Sequence, residues 1–297
     1  MPCPADGVSL KDKQDLTQLL LTSGADIYEI NTVRKYLSQT KGGKLGHFFA
    51  PATVVSLILS DVVGNDLSVI ASGPTYPDSS TFSDVWNVLE KYQLLSMTPK
   101  RVIDFLKRGS QGMEEETPKT LENSHNHIIG DNKLALESMV QKAKEMGLVS
   151  HIITAEQKGE TSAVARVRAN EILSGKYDKY EVLLIGGETT PALPANAGKG
   201  GRNQHYAAVS MLAMKECTGE WVTASVGTDG SDFLPDVAGA IIDRDSIYQL
   251  VTKKIDAQSY LTRYDSYNLL KKIGNSLIIT GNTGTNVGDI IIYMLHQ

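Results

Sequence analysis

Three aspartates, Asp229, Asp232 and Asp236, stand close together in VGTDGSDFLPD, directly after the apolar run WVTAS. Carboxylates grouped at a strand end can hold Mg2+ through one or two ligands while waters and substrate phosphates complete its octahedron. One of them can instead accept a proton from a substrate hydroxyl. Turn aspartates also commonly bond their own backbone, and that structural reading is assigned to Asp232. The spacing does not match an EF-hand loop. A second group follows the run VLLI, where GGETTPALPANAGKGGRNQ is far longer than a connection needs and carries Glu188, Lys199 and Arg202 among its glycines. Gly200 and Gly201 precede Asn203, which is expected to cap a helix running from Gln204. Free amides at a helix N-terminus attract an anion, and glycines let a phosphate approach the backbone. Arg202 adds a planar five-donor fork suited to phosphate or carboxylate oxygens. The alternative, a solvated arginine in a flexible loop, stays open on these residues alone.

Other groups carry weaker signals. Ser72, Gly73, Pro74 and Thr75 can make a tight turn whose amides and hydroxyls face an anion, although Gly-Pro is a turn signal in any case. TGNTGTNVGD, from Thr280 to Asp289, is a small polar loop between two apolar runs and longer than a bare hairpin requires. NTVRKYLSQTKGGKL places Arg34, Ser38 and Lys41 before Gly42-Gly43, and by itself reads as a solvated helix ending at a glycine C-cap. His125 and His127 share a strand face without a third ligand nearby in sequence. There is no P-loop, no dinucleotide fingerprint and no nucleophile elbow.

The elements that must position these groups alternate along the chain. A helical pattern runs from Lys11 to Ser23, and VVSLILSD (Val54 to Asp61) looks like a strand covered on both faces. Helical patterns follow at Phe82 to Leu95 and Lys100 to Lys107, the latter after Thr98-Pro99 as N-cap and first-turn proline. HNHIIGD, SHIITAE, EVLLIGGE, WVTASVGTD, AGAIIDRD, SLIITG and IIIYML read as strands. NKLALESMVQKAKEMG, TSAVARVRANEILSGK (capped by Thr161 or Ser162), the apolar stretch after Arg202, Ser246 to Ile255 and Ser266 to Ile273 read as helices. This alternation predicts an α/β fold of two domains, with mainly parallel or mixed sheets flanked by helices. The polar stretch from Gly109 to Ser124 reads as a linker, which divides the chain into 1–118 and 119–297.

With 297 residues and a net charge of -5, composition suits one large or two ordinary globular domains and leaves no nucleic-acid footprint. No apolar run approaches the ~20 residues of a membrane helix, and MPCPADGVSL has neither the basic start nor the apolar core of a signal peptide. Cys3 and Cys217 cannot build a disulfide framework or a zinc site between them, which fits a reducing, cytoplasmic setting. Met1 to Val8 reads as loop.

Together, ADIYEINTVRKYLSQTKGGKL, VVSLILSDVVGNDLSVIASGPTYPD, LLIGGETT, GKGGRNQ, VGTDGSD with DVAGA, and TGNTGTNV resemble the glycerate 2-kinase family, whose C-terminal part is the MOFRL domain. The resemblance implies two α/β domains with the active site in the interdomain cleft, the MOFRL region covering about 180–297, and ATP and Mg2+ as cofactors. D-Glycerate is the implied small-molecule substrate, with no nucleic-acid or membrane partner and a possible homo-oligomer. It implies transfer of the γ-phosphoryl group of ATP to the 2-hydroxyl of D-glycerate. Arg202 is then expected to stabilise the transferring group, with Asp229 as metal ligand or base and Glu188 as a partner of the metal or of the groups that surround it. Arg34, Lys41, Ser60, Thr75, Gly200, Gly201 and Asn203 are expected to contact substrate or phosphate. The chain departs from the family pattern at Pro191 and Pro194, at His205, and at Phe233-Leu234-Pro235. It also lacks the family's N-terminal segment, with its glycine-rich turn and lysine, so impaired catalysis is expected of this chain. The rival functions are a hydroxypyruvate reductase and a non-catalytic ligand-binding remnant.

Overall fold

Alternating helical and extended patterns set out two separately packed units. The structure, a computed structural model, describes residues 3–296, so Met1 and Pro2 of the expected opening loop lie outside it. One unit takes in the described residues up to Ile58 together with Asn65–Ile129. The other takes in Leu59–Gly64 and the chain from Gly130 onward. The division falls at 129/130 rather than at the expected 118/119. The polar stretch is tied into the first unit: Glu116 accepts from the Phe82 amide, and Thr117 bonds Asp78 and the Tyr36 hydroxyl.

The first unit holds α1 (Leu10–Ser23), α2 (Ile27–Tyr36), α3 (Lys44–Phe48), β1 (Val54–Leu59), a 3-10 turn at Ile70–Ser72, α4 (Phe82–Lys91), α5 (Lys100–Ser110) and β2 (Ser124–Gly130), whose last residues reach the boundary. Capping boxes start α1 (Ser9 with Asp12), α2 (Asp26 with Glu29) and α4 (Thr81 with Asp84), each satisfying two orphan amides. Helix α5 starts at Lys100 without a side-chain cap, because Thr98 instead donates to the Leu94 carbonyl. The helices bury Leu16, Leu20, Val33, Tyr36, Val85, Leu89 and Leu106 in one core. Among the described residues strand β1 pairs with β2 alone, and Val55, Leu57 and Leu59 are exposed, so it alternates instead of being covered on both faces. Nor does α2 end at Gly42-Gly43. It ends at Tyr36 with Leu37 as C-cap, and those glycine amides bond the carbonyls of Ser72 and Gly73. Nor is the helix solvated throughout, since its Lys35 is buried in an ion pair with Asp78.

The second unit runs α6 (Asn132–Glu145), β3 (Ser150–Gln157), α7 (Thr161–Leu173), β4 (Val182–Gly187), α8 (Arg202–Ala213), β5 (Glu220–Gly227), β6 (Gly239–Asp243), α9 (Arg244–Thr252), α10 (Ala257–Thr262), α11 (Ser266–Ile273), β7 (Leu277–Ile278) and β8 (Asp289–His296). Its six-stranded sheet has the order β3-β4-β8-β5-β6-β7, and only β3 and β4 run parallel. The sheet is therefore mixed, not mainly parallel, because β8 returns through the middle as an antiparallel strand. Leu183, Ile185, Ile291 and Tyr293 join the core that holds α7, α8 and α11, whereas Val182 and Leu184 pack with Leu136 of α6 on the other face. That two-residue period explains why VLLI is apolar throughout. Helix α7 is capped by the Glu160 carboxylate, which accepts from Ser162 and Ala163, and not by Thr161 or Ser162. Both cysteines are free, and no helix among the described residues is long and apolar enough to cross a membrane.

Candidate active site at the N-terminus of helix α8

Three strand ends meet in the second unit. Asp289 opens β8 opposite Gly187 at the end of β4 and opposite Gly227 at the end of β5. Its side chain is only 5% exposed and takes two hydrogen bonds from Arg202, Nε at 2.6 Å and a terminal nitrogen at 3.1 Å. A third comes from Asn203 Nδ2 at 2.9 Å. Such a fork-to-carboxylate bond fixes both position and plane of the guanidinium. The other terminal nitrogen meets Glu188 at 2.6 Å. Burial opposes the Arg202 charge, but Asp289 and Glu188 outweigh it and hold the group above its ordinary value. Burial, reinforced by Asp289 and Asp61, raises the Glu188 carboxyl against the pull of Arg202. Arg202 is thus anchored on one side by a buried partner and on the other by a half-exposed one that an incoming anion can replace.

The helix terminus already holds an anion. Asp232 reaches across the fold and accepts from the amides of Asn203 (3.0 Å) and Gln204 (2.8 Å) and from the Gln204 side chain. This corrects two expectations. Asp232 is not a turn residue bonding its own backbone, and Asn203 is not the cap. The side chain of Asn203 is buried between Asp289 and Ser225. It is Asp229 that closes a local turn, accepting from the Ser231 amide at 2.9 Å. Burial raises the Asp232 carboxyl, and the donors of Gln204 and Asn203 oppose this. Gly201 is required by the approach: a Cβ there would lie 2.2 Å from the Asp232 carboxylate carbon. Gly187, at φ 136, would place a Cβ 2.3 Å from the Gln157 amide. The amides of Gly201 and Arg202 meet no acceptor among the described residues.

The long loop lines a cavity of about 470 Å3 beside this terminus, bounded by Leu193, Gly200, Arg202, Asp229, Phe233 and Tyr264. That size suits a ligand of small-molecule dimensions. The Tyr264 ring is stacked on buried His205 at 3.8 Å and donates to Glu160. A second hollow, of about 360 Å3, lies at the opposite end of β5 and β8. There Asp243 is spent on capping α9 and Arg244 on the carbonyls of Thr218 and Gly219.

Burial pushes His205 down to about 4, so the ring is neutral in the folded protein. An unfolded histidine titrates near 6.5. Between those values the unfolded chain binds the extra proton, so this group's contribution to stability is whole above about pH 6.5 and lost as pH falls towards 4. Urea midpoints measured across that window should fall more steeply for the parent than for His205→Gln. Parallel profiles would show that His205 titrates normally.

A family model described as a domain of unknown function (DUF4147) matches residues 1–107, and the MOFRL family model matches 181–289, a range that contains Glu188, Arg202, Asp229 and Asp289. The chain is 44% identical to the D-glycerate 2-kinase of Thermotoga maritima, over 98% of this chain and 68% of that protein. The chain belongs to the glycerate 2-kinase family. The Pyrococcus horikoshii glycerate 2-kinase is 39% identical over 97% of this chain and 66% of its own length. The crystal structure of the Thermotoga maritima glycerate kinase superposes with a TM-score of 0.87 at 43% identity, covering 99% of this chain and 69% of that one. The chain thus spans about two thirds of the length of these glycerate kinases.

Within this glycerate 2-kinase family member, the second unit brings together Arg202, Glu188, Asp229, Gly200, Gly201 and Asn203. Arg34, Lys41 and Thr75 lie in the first unit. Two expected ligands are engaged elsewhere: the Ser60 hydroxyl bonds Val62, and Thr75 donates to Asn126 while accepting from Ser56. Glu188, expected at a metal, pairs with Arg202. Among the described residues no three His, Cys, Asp or Glu side chains gather as a metal cluster. Asp289 and Asp232 were missed as the anchors of the site. One signal was available: an aspartate opening a buried strand such as IIIYML needs a cationic or amide partner.

Proposed function

We propose that this chain performs glycerate 2-kinase chemistry, with the impaired turnover expected above, in which the γ-phosphoryl group of ATP passes to the 2-hydroxyl of D-glycerate. The new bond joins phosphorus to the substrate oxygen, the bond to the ADP oxygen breaks, and the hydroxyl proton leaves to a base. The observation that carries the reading is Arg202, clamped by buried Asp289 beside the unclaimed amides of Gly201 and Arg202. Phosphoryl transfer is mostly positioning and charge neutralisation, and a cation fixed beforehand stabilises the transition state without reorganising. On this reading phosphate oxygens displace Glu188 from the half-exposed side of Arg202. The free oxygen of Asp229 is available to Mg2+ or to the substrate hydroxyl, and Mg2+ would neutralise charge on the nucleotide phosphates. Such an ion takes one or two carboxylates and completes its shell with phosphates and water, so the donor set fits without a protein cage.

Asp229→Asn separates chemistry from structure, because an asparagine Oδ1 can still accept from Ser231 and keep the turn. Turnover should fall by about 10²-fold or more or lose its Mg2+ dependence, with the melting temperature unchanged. An unfolded variant would make Asp229 a turn residue only. The reading itself is tested by D-glycerate-dependent release of ADP from ATP, run beside NADH oxidation with hydroxypyruvate. ADP release without NADH oxidation is expected; the reverse pattern would establish the reductase.

A further inference from the structure

Lys13, on α1, is 8% exposed, and its ammonium has no hydrogen-bond partner among the described residues. Burying an ammonium unpaired is costly, so such a group calls for a counter-ion. What surrounds it is more positive charge. Arg34, on α2, is half-buried and makes no hydrogen bond or ion pair among the described residues. Lys41 turns its ammonium to the Ala71 carbonyl at 2.6 Å and the Ser72 hydroxyl at 3.4 Å. Burial lowers both lysines, Lys41 to about 8, and repulsion adds to it: Arg34 acts on each, and Lys13 acts on Lys41. Among the described residues, Cys3 favours the Lys13 charge. The neighbouring cations are already spent, Lys35 on Asp78 and Lys44 on the carbonyls of Lys35, Tyr36 and Ser38.

The backbone under Lys41 is held in an uncommon shape. Ala71, Ser72 and Gly73 all have left-handed φ values, 52, 63 and 58°. The two non-glycine residues are costly there and persist only because neighbours fix them. Gly42 and Gly43 bond the carbonyls of Ser72 and Gly73, and the Ser72 hydroxyl donates to Asn31 of α2. The fold thus fixes the segment that carries Lys41's two acceptors and ties it to the helix that carries Arg34.

We propose that Lys13, Arg34 and Lys41 form an oxyanion site within the first unit, completed by a small carboxylate or phosphate ligand. The site rests on the kinase reading only for its natural occupant, which would be the carboxylate of the hydroxy acid. An anion there turns three repelling charges into three charge-assisted bonds.

Thermal unfolding in the Arg202→Ala background, at fixed ionic strength, keeps the readout away from α8. D-Glycerate and inorganic phosphate are the two probes, with chloride as control. One or both should raise the melting temperature saturably, by a few degrees at a large excess over Kd. A glycerate response assigns the carboxylate, and a response to phosphate alone assigns a phosphate site. Lys13→Met should weaken the responding anion at least about tenfold. Without ligand it should melt at or above the parent, since the unpaired charge is gone. Lys11→Met, at an exposed position of the same helix, should change neither. No response to either anion, or a Lys13→Met variant that melts lower and still responds, overturns the proposal. Neither result bears on phosphoryl transfer at Arg202.

Discussion

Arg202→Ala should lower kcat/KM for D-glycerate by about 10²-fold or more, the scale expected when a fixed transition-state cation is lost. The same change strips the two guanidinium bonds from Asp289, leaving a buried carboxylate with Asn203 as its remaining side-chain donor. Some stability should therefore be lost with the activity, and the two losses must be separated. Adding Asp289→Asn removes the stranded charge, so the double variant should regain stability without regaining turnover. Arg202→Lys keeps the charge but not the fork that matches Asp289, and should recover little. An Arg202→Ala enzyme within a few-fold of the parent would remove this residue from the mechanism. Recovery of turnover in the double variant would show that Arg202 serves only to neutralise Asp289.

Asp232→Ala should be the most destabilising single change at the site, by about 3 kcal/mol, from lost capping and from buried donors left unpaired. The carboxylate serves the amides of Asn203 and Gln204 and the Gln204 side chain, all buried. The effect should spread, because α8 is buried along nearly its whole length and packs Tyr206, Ala207, Ala208 and Met211 into the main core. Asp232→Asn keeps one acceptor but faces donors with a donor, and should recover only part of the loss. Denaturant midpoints for the two variants check this. A change within 0.5 kcal/mol of the parent, the range of ordinary surface substitutions, would mean that the cap is not needed.

Local signals in the sequence carried far in this chain. The run VLLI announced a strand, and the apolar stretch after Arg202 announced a buried helix; both are there, whereas VVSLILSD, read as covered on both faces, exposes Val55, Leu57 and Leu59. Arg202 stood out because a charge between Gly201 and a buried helix has little freedom. What remained hidden was long-range pairing. Nothing near Asp289 in sequence reveals that it lies opposite Gly187 and Gly227, since that register depends on β8 returning antiparallel through the centre of the sheet. For the same reason strand-helix alternation left the sheet open between mainly parallel and mixed, and the return of β8 makes it mixed. Asp232 misled in a similar way: its place after Gly230 and Ser231 looks like turn chemistry, whereas its partners are 28 and 29 residues away. Lys13 gave no signal, because one lysine in a polar helix looks solvated until its neighbours are known.

The most direct measurement of the central claim is phosphorus NMR of the product formed from ATP and D-glycerate. The account predicts a D-glycerate-dependent phosphomonoester at the 2-position, formed as ADP accumulates and reduced about 10²-fold or more by Arg202→Ala. A phosphoester at the 3-position would contradict the assigned hydroxyl, and no phosphoester at all would contradict phosphoryl transfer at this site.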